Sequence, residues 1–216
     1  IIAEQSDVPI SIDTYKSEVA AQALNAGATI VNDISGLRFD PRMPEIVAQA
    51  GASVILMHIK GTPKTMQLNP TYADLIEEVK EYLREGIKIA QRAGIRQIIV
   101  DPGIGFGKTE GQNLQLIGNL YQLRSLGYPI LVAASRKSFI GSLLDLPIEE
   151  RLNGSIGAAV SAVLSGANLV RVHDRSIHIL DQPVRRKSSC EPGAVRRQVL
   201  KRDALVLRGS KRDRGG

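Results

Sequence analysis

The chain has 216 residues, 43% hydrophobic and 23% charged, enough to bury a core for one large domain or two small ones. Its net charge of +6 is uneven: residues 175–216 hold 12 Lys and Arg against 4 Asp and Glu, while residues 1–174 hold 16 against 18. A basic tail with no aromatic interleaving and no zinc-ligand spacing does not call for a nucleic-acid partner, and the single Cys190 suits a reducing cytoplasm. The longest uncharged run, Leu152 to Val170, is interrupted by Asn153, Gly154, Ser155, Gly157, Ser161 and Gly166. It is too polar to span a membrane and reads as a buried helix followed by a strand.

One theme repeats in chain order. Near the start, "VPISI" leads to Asp13. Gly27 leads through "ATIV" to Asn32, and Gly51 through "ASVILM" to His58. Gly94 leads through "IRQIIV" to Asp101, Gly127 through "YPILVAA" to Ser135, and Gly166 through "ANLVRV" to His173. A glycine closes a helix in the left-handed conformation. Short apolar runs rich in Val and Ile, without polar alternation, read as strands covered on both faces. Helical segments such as Tyr72–Arg92 and Glu149–Ser165 lie between them.

Six strands are expected, at about 10–13, 29–32, 53–57, 97–100, 130–133 and 169–172. Steady alternation of strand and helix implies parallel strands with right-handed crossovers. Polar residues at every strand's C-terminal end favour a (β/α)8 barrel over an open doubly wound sheet, because in a barrel all strand ends converge on one site.

That face would gather Asp13, Asn32, Asp33, Met57, His58, Asp101, Ser135, Arg136, Lys137, Arg171, His173 and Asp174. Asp33, His58 and Asp174 read as helix caps or loop salt bridges. Arg171 and His173 alternate, so they share a side and could hold a phosphate. Asp101 stands before Pro-Gly and cannot cap a helix directly; the glycines after it would let a flat ligand approach the backbone. The segment "VDPGIGFGKT" ends like a nucleotide P-loop. That pattern needs a glycine at 102, where Pro102 stands without an N–H, so it is not a nucleotide cradle. No Cys/His metal spacing and no Ser-His-Asp order stand out, which argues against a zinc enzyme or a hydrolase.

The blocks "SIDTYK", "NDISG", "MHIKGTPKTMQ", "DPGIGFGKT", "SRKSFIG", "ERLNGSIGAAV" and "RVHD", in this order, resemble dihydropteroate synthase from about residue 1 to Asp174. The resemblance implies a transferase of folate biosynthesis on a pterin-binding barrel. It would join p-aminobenzoate to 6-hydroxymethyl-7,8-dihydropterin diphosphate, release pyrophosphate, and meet sulfonamides as competitors of p-aminobenzoate. By the same resemblance, Asp101 grips the pterin's amino and ring N–H edge, and Asn32 and Asp13 satisfy other ring groups. Lys137 donates to a ring acceptor, Met57 and Phe106 lie against the aromatic ligands, Ser135 places the aminobenzoate, and Arg171 and His173 hold the diphosphate. It further implies Mg2+ as cofactor and a cytoplasmic homodimer.

Two departures accompany the resemblance. The family's first two strands, with the loops supplying a magnesium-binding Asn and a Thr-Arg pair, have no counterpart among the 216 residues. After Asp174 the likeness stops, and residues 175–216 read as a divergent or frame-shifted basic tail. Ala133 stands where the family usually has Gly. The chain by itself is therefore expected to be inactive, with open sheet edges at about 10–13 and 169–172. Pterin-barrel methyltransferases and a non-catalytic pterin-binding remnant are the competing readings.

Overall fold

The computed structural model describes residues 3–5, 7–174 and 206–208. Strands β1 (Ser11–Asp13), β2 (Ile30–Asp33), β3 (Ser53–Met57) and β4 (Ile98–Asp101) pair in parallel, each beside its chain neighbour. Strands β5 (Leu131–Val132) and β6 (Leu169–Val170) pair in the same way, and a parallel bridge from Val100 to Ile130 joins β5 to β4. Spatial order follows chain order without reversal. That is the winding of a (β/α)8 barrel and not of a doubly wound sheet, whose order must turn back at a switch point. The fold is thus α/β, a (β/α)8-type barrel represented, among the described residues, by six consecutive strands and the five helical connections between them.

Helices α1 (Ser17–Asn25), α2 (Met43–Gln49), α3 (Leu75–Arg92), α4 (Glu110–Gly118), α5 (Ser138–Leu144) and α6 (Leu152–Ser165) lie between the strands. The longest, α3, shows why. Leu75, Val79, Leu83, Ile87 and Ala90 recur at helical spacing and are buried. Its outer face carries the pairs Glu77–Lys80, Glu81–Arg84 and Glu85–Lys88. The helix begins at Leu75, not Tyr72, because the Asp74 carboxylate accepts the N–H groups of Ile76 and Glu77 at 3.0 and 3.1 Å. Similarly α6 starts at Leu152, after a 3-10 turn over Ile148–Glu150.

The strands bury two distinct layers. Val31, Val54, Leu56, Ile98, Val100, Ile130 and Val132 belong to the large core shared with the helices. Ile30, Ile55 and Leu131, with partly buried Ile99, Ala133 and Leu169, form a separate inner cluster. Strand side chains alternate with period two. Two residues beyond Ile30, Ile55, Ile99 and Leu169 stand Asn32, Met57, Asp101 and Arg171, which therefore face inward one level higher. Asp13 joins them through its register with Asn32.

One expected open edge is closed. Val206–Arg208 forms β7, pairing in parallel with Ser11–Asp13. Main-chain hydrogen bonding is blind to side-chain sequence, so a tail unlike the family can still supply a strand. Of the tail's scattered apolar residues, whose spacing is compatible with a basic amphipathic helix, Val195, Val199 and Leu200 lie outside the described residues and Leu207 is in β7. Strand β6 has no second neighbour among the described residues. None of the helices searched is long and apolar enough to cross a membrane.

Candidate active site

The inner face of the strand ends carries a chain of polar contacts. Asn32, 1% exposed, donates its amide N–H to Asp13 Oδ1 at 2.8 Å. The other oxygen of Asp13 is ion-paired with Arg171. Asn32 Oδ1 is buried without a hydrogen-bond partner. A buried carbonyl left so costs about 1–3 kcal/mol, which marks the place where a donor from a ligand or water would sit.

Asp101 is 1% exposed at the end of β4. Its Oδ1 accepts the Gly103 N–H at 2.7 Å. Burial raises its carboxyl above the ordinary range, and the nearby Lys137 ammonium opposes that. The same desolvation pulls Lys137 down to about 8, with Asp101 acting the other way. Lys137 donates to the Ile104 carbonyl and lies 4.6 Å from the centre of the Phe106 ring. A buried carboxylate, an ammonium and an aromatic ring are thus linked through Lys137, with Met57, 3% exposed, in register with Asp101.

Ser135, 4% exposed, accepts the His173 backbone N–H at 3.3 Å. The backbone N–H of Arg171 continues the ladder to Val132 O at 3.0 Å. The ion pair with Asp13 puts Arg171 on the inner side, and His173 follows two residues later, beyond the end of β6. On β2 and just after β3, strand parity puts Asp33 and His58 on the other side. Asp33 accepts from Ser35 N, Ser35 Oγ and Leu37 N at 2.8, 2.7 and 3.1 Å, closing a loop. Asp174 is ion-paired with Arg136. His58 neither caps a helix nor forms a salt bridge. It is buried edge-on to Tyr82 and bonded to Lys108, and its imidazole is pulled down to about 2, first by burial and then by the Lys108 charge.

The glycines of the segment after Asp101 are required for a reason the sequence did not suggest. Gly103, Gly105 and Gly107 have φ of +69, +80 and +66°, and protein atoms fill the space that a Cβ on each would take. A Cβ on Gly103 would stand 1.9 Å from the His58 carbonyl oxygen, one on Gly105 2.9 Å from Lys137, and one on Gly107 2.8 Å from Lys60. Sequence reasoning also missed the residues that hold this loop. Asn113 Oδ1 accepts the Gly105 N–H at 2.7 Å, Gln67 donates to Gly105 O at 2.9 Å, and Tyr72 donates to Gly107 O at 2.7 Å. The readable signal was the Thr109–Gln112 capping box, which starts α4 and so places Asn113 one turn in.

A parallel barrel with a carboxylate, an amide and cations converging on its C-terminal strand ends is suited to a flat polar heterocycle beside an anion. The chain belongs to the pterin binding enzyme family, which it matches over residues 1–173. Within that family it is similar to dihydropteroate synthases. It is 49% identical to that of Synechocystis sp. over 176 residues, 80% of this chain and 61% of that protein. The solved dihydropteroate synthase of Yersinia pestis, in a sulfonamide drug complex, superposes with a TM-score of 0.78 at 40% identity, covering 80% of this chain and 64% of that one. That of Thermus thermophilus, in complex with 4-aminobenzoate, gives 0.74 at 43% identity, covering 77% and 65%. The chain therefore spans about six tenths of the length of the curated relatives it matches.

Proposed function

We propose that this chain carries the pterin and aminobenzoate sites of a dihydropteroate synthase, a cytoplasmic transferase of folate biosynthesis. The observation that carries the reading is the pairing of a buried carboxylate, Asp101, with the unpartnered Asn32 carbonyl on one inner face. The 2-amino and ring N–H groups of a pterin would donate to Asp101, a charge-assisted pair. A further ring N–H would satisfy Asn32 Oδ1, with Asp13 orienting the Asn32 amide. Lys137 would leave Ile104 O for a ring acceptor, while Met57 and Phe106 flank the flat ligands and Ser135 places p-aminobenzoate. The 4-aminobenzoate and sulfonamide bound by the two solved relatives support this choice of second substrate and of competitor.

In the reaction, the bond from the pterin methylene to the diphosphate oxygen breaks and pyrophosphate departs. Arg171 and His173 would hold that anion, stabilising the charge as it develops. The aromatic amine, held close, attacks the methylene carbon and loses a proton. Mg2+ belongs to this reading through the family. No group of three or more His, Cys, Asp or Glu among the described residues could hold it, so no step is assigned to it here. All proposed site residues lie in 1–174, the unit we take as the pterin-binding barrel, with 175–216 a tail that contributes β7. A homodimer is likewise part of the proposal.

The test is titration of the chain with 6-hydroxymethylpterin, for which saturable binding is expected; no heat at any concentration would sink the reading. Pyrophosphate released from the two substrates, in place of methyl transfer, separates a synthase from a pterin-barrel methyltransferase. Replacing Arg171 and His173 by Ala should weaken the diphosphate-bearing pterin about tenfold or more beyond the loss for bare hydroxymethylpterin, which feels only the lost Arg171–Asp13 pair. Equal losses for both ligands would reject the assignment.

A further inference from the structure

The P-loop-like lysine has a different task. Five successive carbonyls, from Gly103 to Gly107, each accept a hydrogen bond from a side chain. Lys108 supplies two of them, to Gly103 O at 2.9 Å and Phe106 O at 3.0 Å, and its third bond joins His58 Nδ1 at 2.8 Å. An ammonium has three donors and here meets three acceptors. For Nδ1 to accept, the His58 ring proton must sit on Nε2, in keeping with an imidazole held neutral by burial. Lys108 is 3% exposed, and all three bonds point into the protein. Burial pulls its ammonium down to about 7; the Asp101 carboxylate on β4 opposes this, and the charges of Lys137 before α5 and Lys60 after β3 add to it.

We propose that Lys108 and His58 form a positioning latch that sets the shape of the 103–107 loop, and through it the places of Asp101 and Phe106 in the pterin site. The latch acts at both ends of the loop. At Gly103 it holds the residue whose N–H orients Asp101 Oδ1, and at Phe106 it holds the backbone of the ring beside Lys137. A backbone that moves by about an ångström here would displace both ligand contacts together. Neither residue touches the ligand, so the effect is on pterin affinity and not on the reaction step once the pterin is seated. This inference rests on the pterin reading above.

Two measurements separate them. The first is amide hydrogen exchange of residues 101–109 in the full 216-residue chain, with and without Lys108→Met. Methionine keeps the apolar stem and removes all three donors. Protection is expected to fall in 101–109 while residues 76–90 of α3 keep theirs; unchanged protection of 101–109 overturns the latch. The second is titration with 6-hydroxymethylpterin, where Lys108→Met should bind about tenfold more weakly or worse. His58→Asn, whose Oδ1 can accept where Nδ1 did, should retain affinity, and His58→Leu should lose it. A merely space-filling role for His58 predicts the reverse order, and that order overturns the proposal. If the wild-type chain binds no pterin, the functional reading fails, and the exchange experiment still decides the latch.

Discussion

Asp101→Asn is expected to abolish measurable pterin binding. The carboxylate can accept two ligand donors while keeping the Gly103 N–H at 2.7 Å. An amide must turn its NH2 toward either Gly103 or the pterin, setting donor against donor. Loss of a buried, charge-assisted pair costs about 2–4 kcal/mol, or about 30- to 1000-fold in affinity. Volume hardly changes, so the fold should survive; indeed, removing a buried charge relieves some desolvation. The same site dictates the pH response. Burial raises the Asp101 carboxyl, so the accepting carboxylate is lost at a higher pH than for a solvent-exposed Asp. Pterin affinity should thus decline on acidification earlier than ordinary carboxylates titrate. Calorimetry across a pH series checks both, and an Asn variant that binds like the wild type would remove Asp101 from the site.

Gly103→Ala should damage fold and site together. The added methyl would lie 1.9 Å from the His58 carbonyl oxygen, a backbone atom that cannot turn away, and φ of +69° is itself unfavourable for alanine. Strand β3 and the 103–107 loop must separate, breaking the Gly103 N–H bond to Asp101 and the Lys108 bond to Gly103 O. We expect a destabilisation of about 3 kcal/mol, from the clash and the left-handed backbone. For a chain of this size that lowers the melting temperature by roughly 6–12 °C. Gly94→Ala is the control: φ is +83°, yet nothing lies within 4 Å of its Cβ position, so only the backbone term of about 1 kcal/mol remains. Equal melting temperatures for the two variants would show that the close approach to His58 is not what requires glycine.

Much of the fold was legible because its signals are local. The apolar runs at 29–32, 53–57 and 97–100 match β2, β3 and β4 within a residue, since buried parallel strands need uninterrupted Val and Ile. The runs at 130–133 and 169–172 shortened to Leu131–Val132 and Leu169–Val170 because their ends pair through a single bridge or one bond only. Side-chain parity was legible too: it needs only a period of two, and it places Asp13, Asn32, Met57, Asp101 and Arg171 on one face. The edge pairing of Val206–Arg208 with β1 was not legible, because a strand of three residues is recruited by unpaired backbone groups and leaves little trace in composition.

By itself, then, the sequence determined the succession of strands and helices, the inward row of polar strand ends, and the exclusion of a nucleotide cradle by Pro102. Only the tertiary structure decided what Lys108 and His58 do. They are 50 positions apart and meet at 2.8 Å because β3 and β4 pair in register and bring the loops that follow them together. It likewise decided why three glycines stand in that loop: a backbone pressed against His58, Lys137 and Lys60 leaves no room for a Cβ. Periodicity reports which way a side chain points, but contact between distant loops depends on where the strands beneath them are pinned, and no local pattern records that.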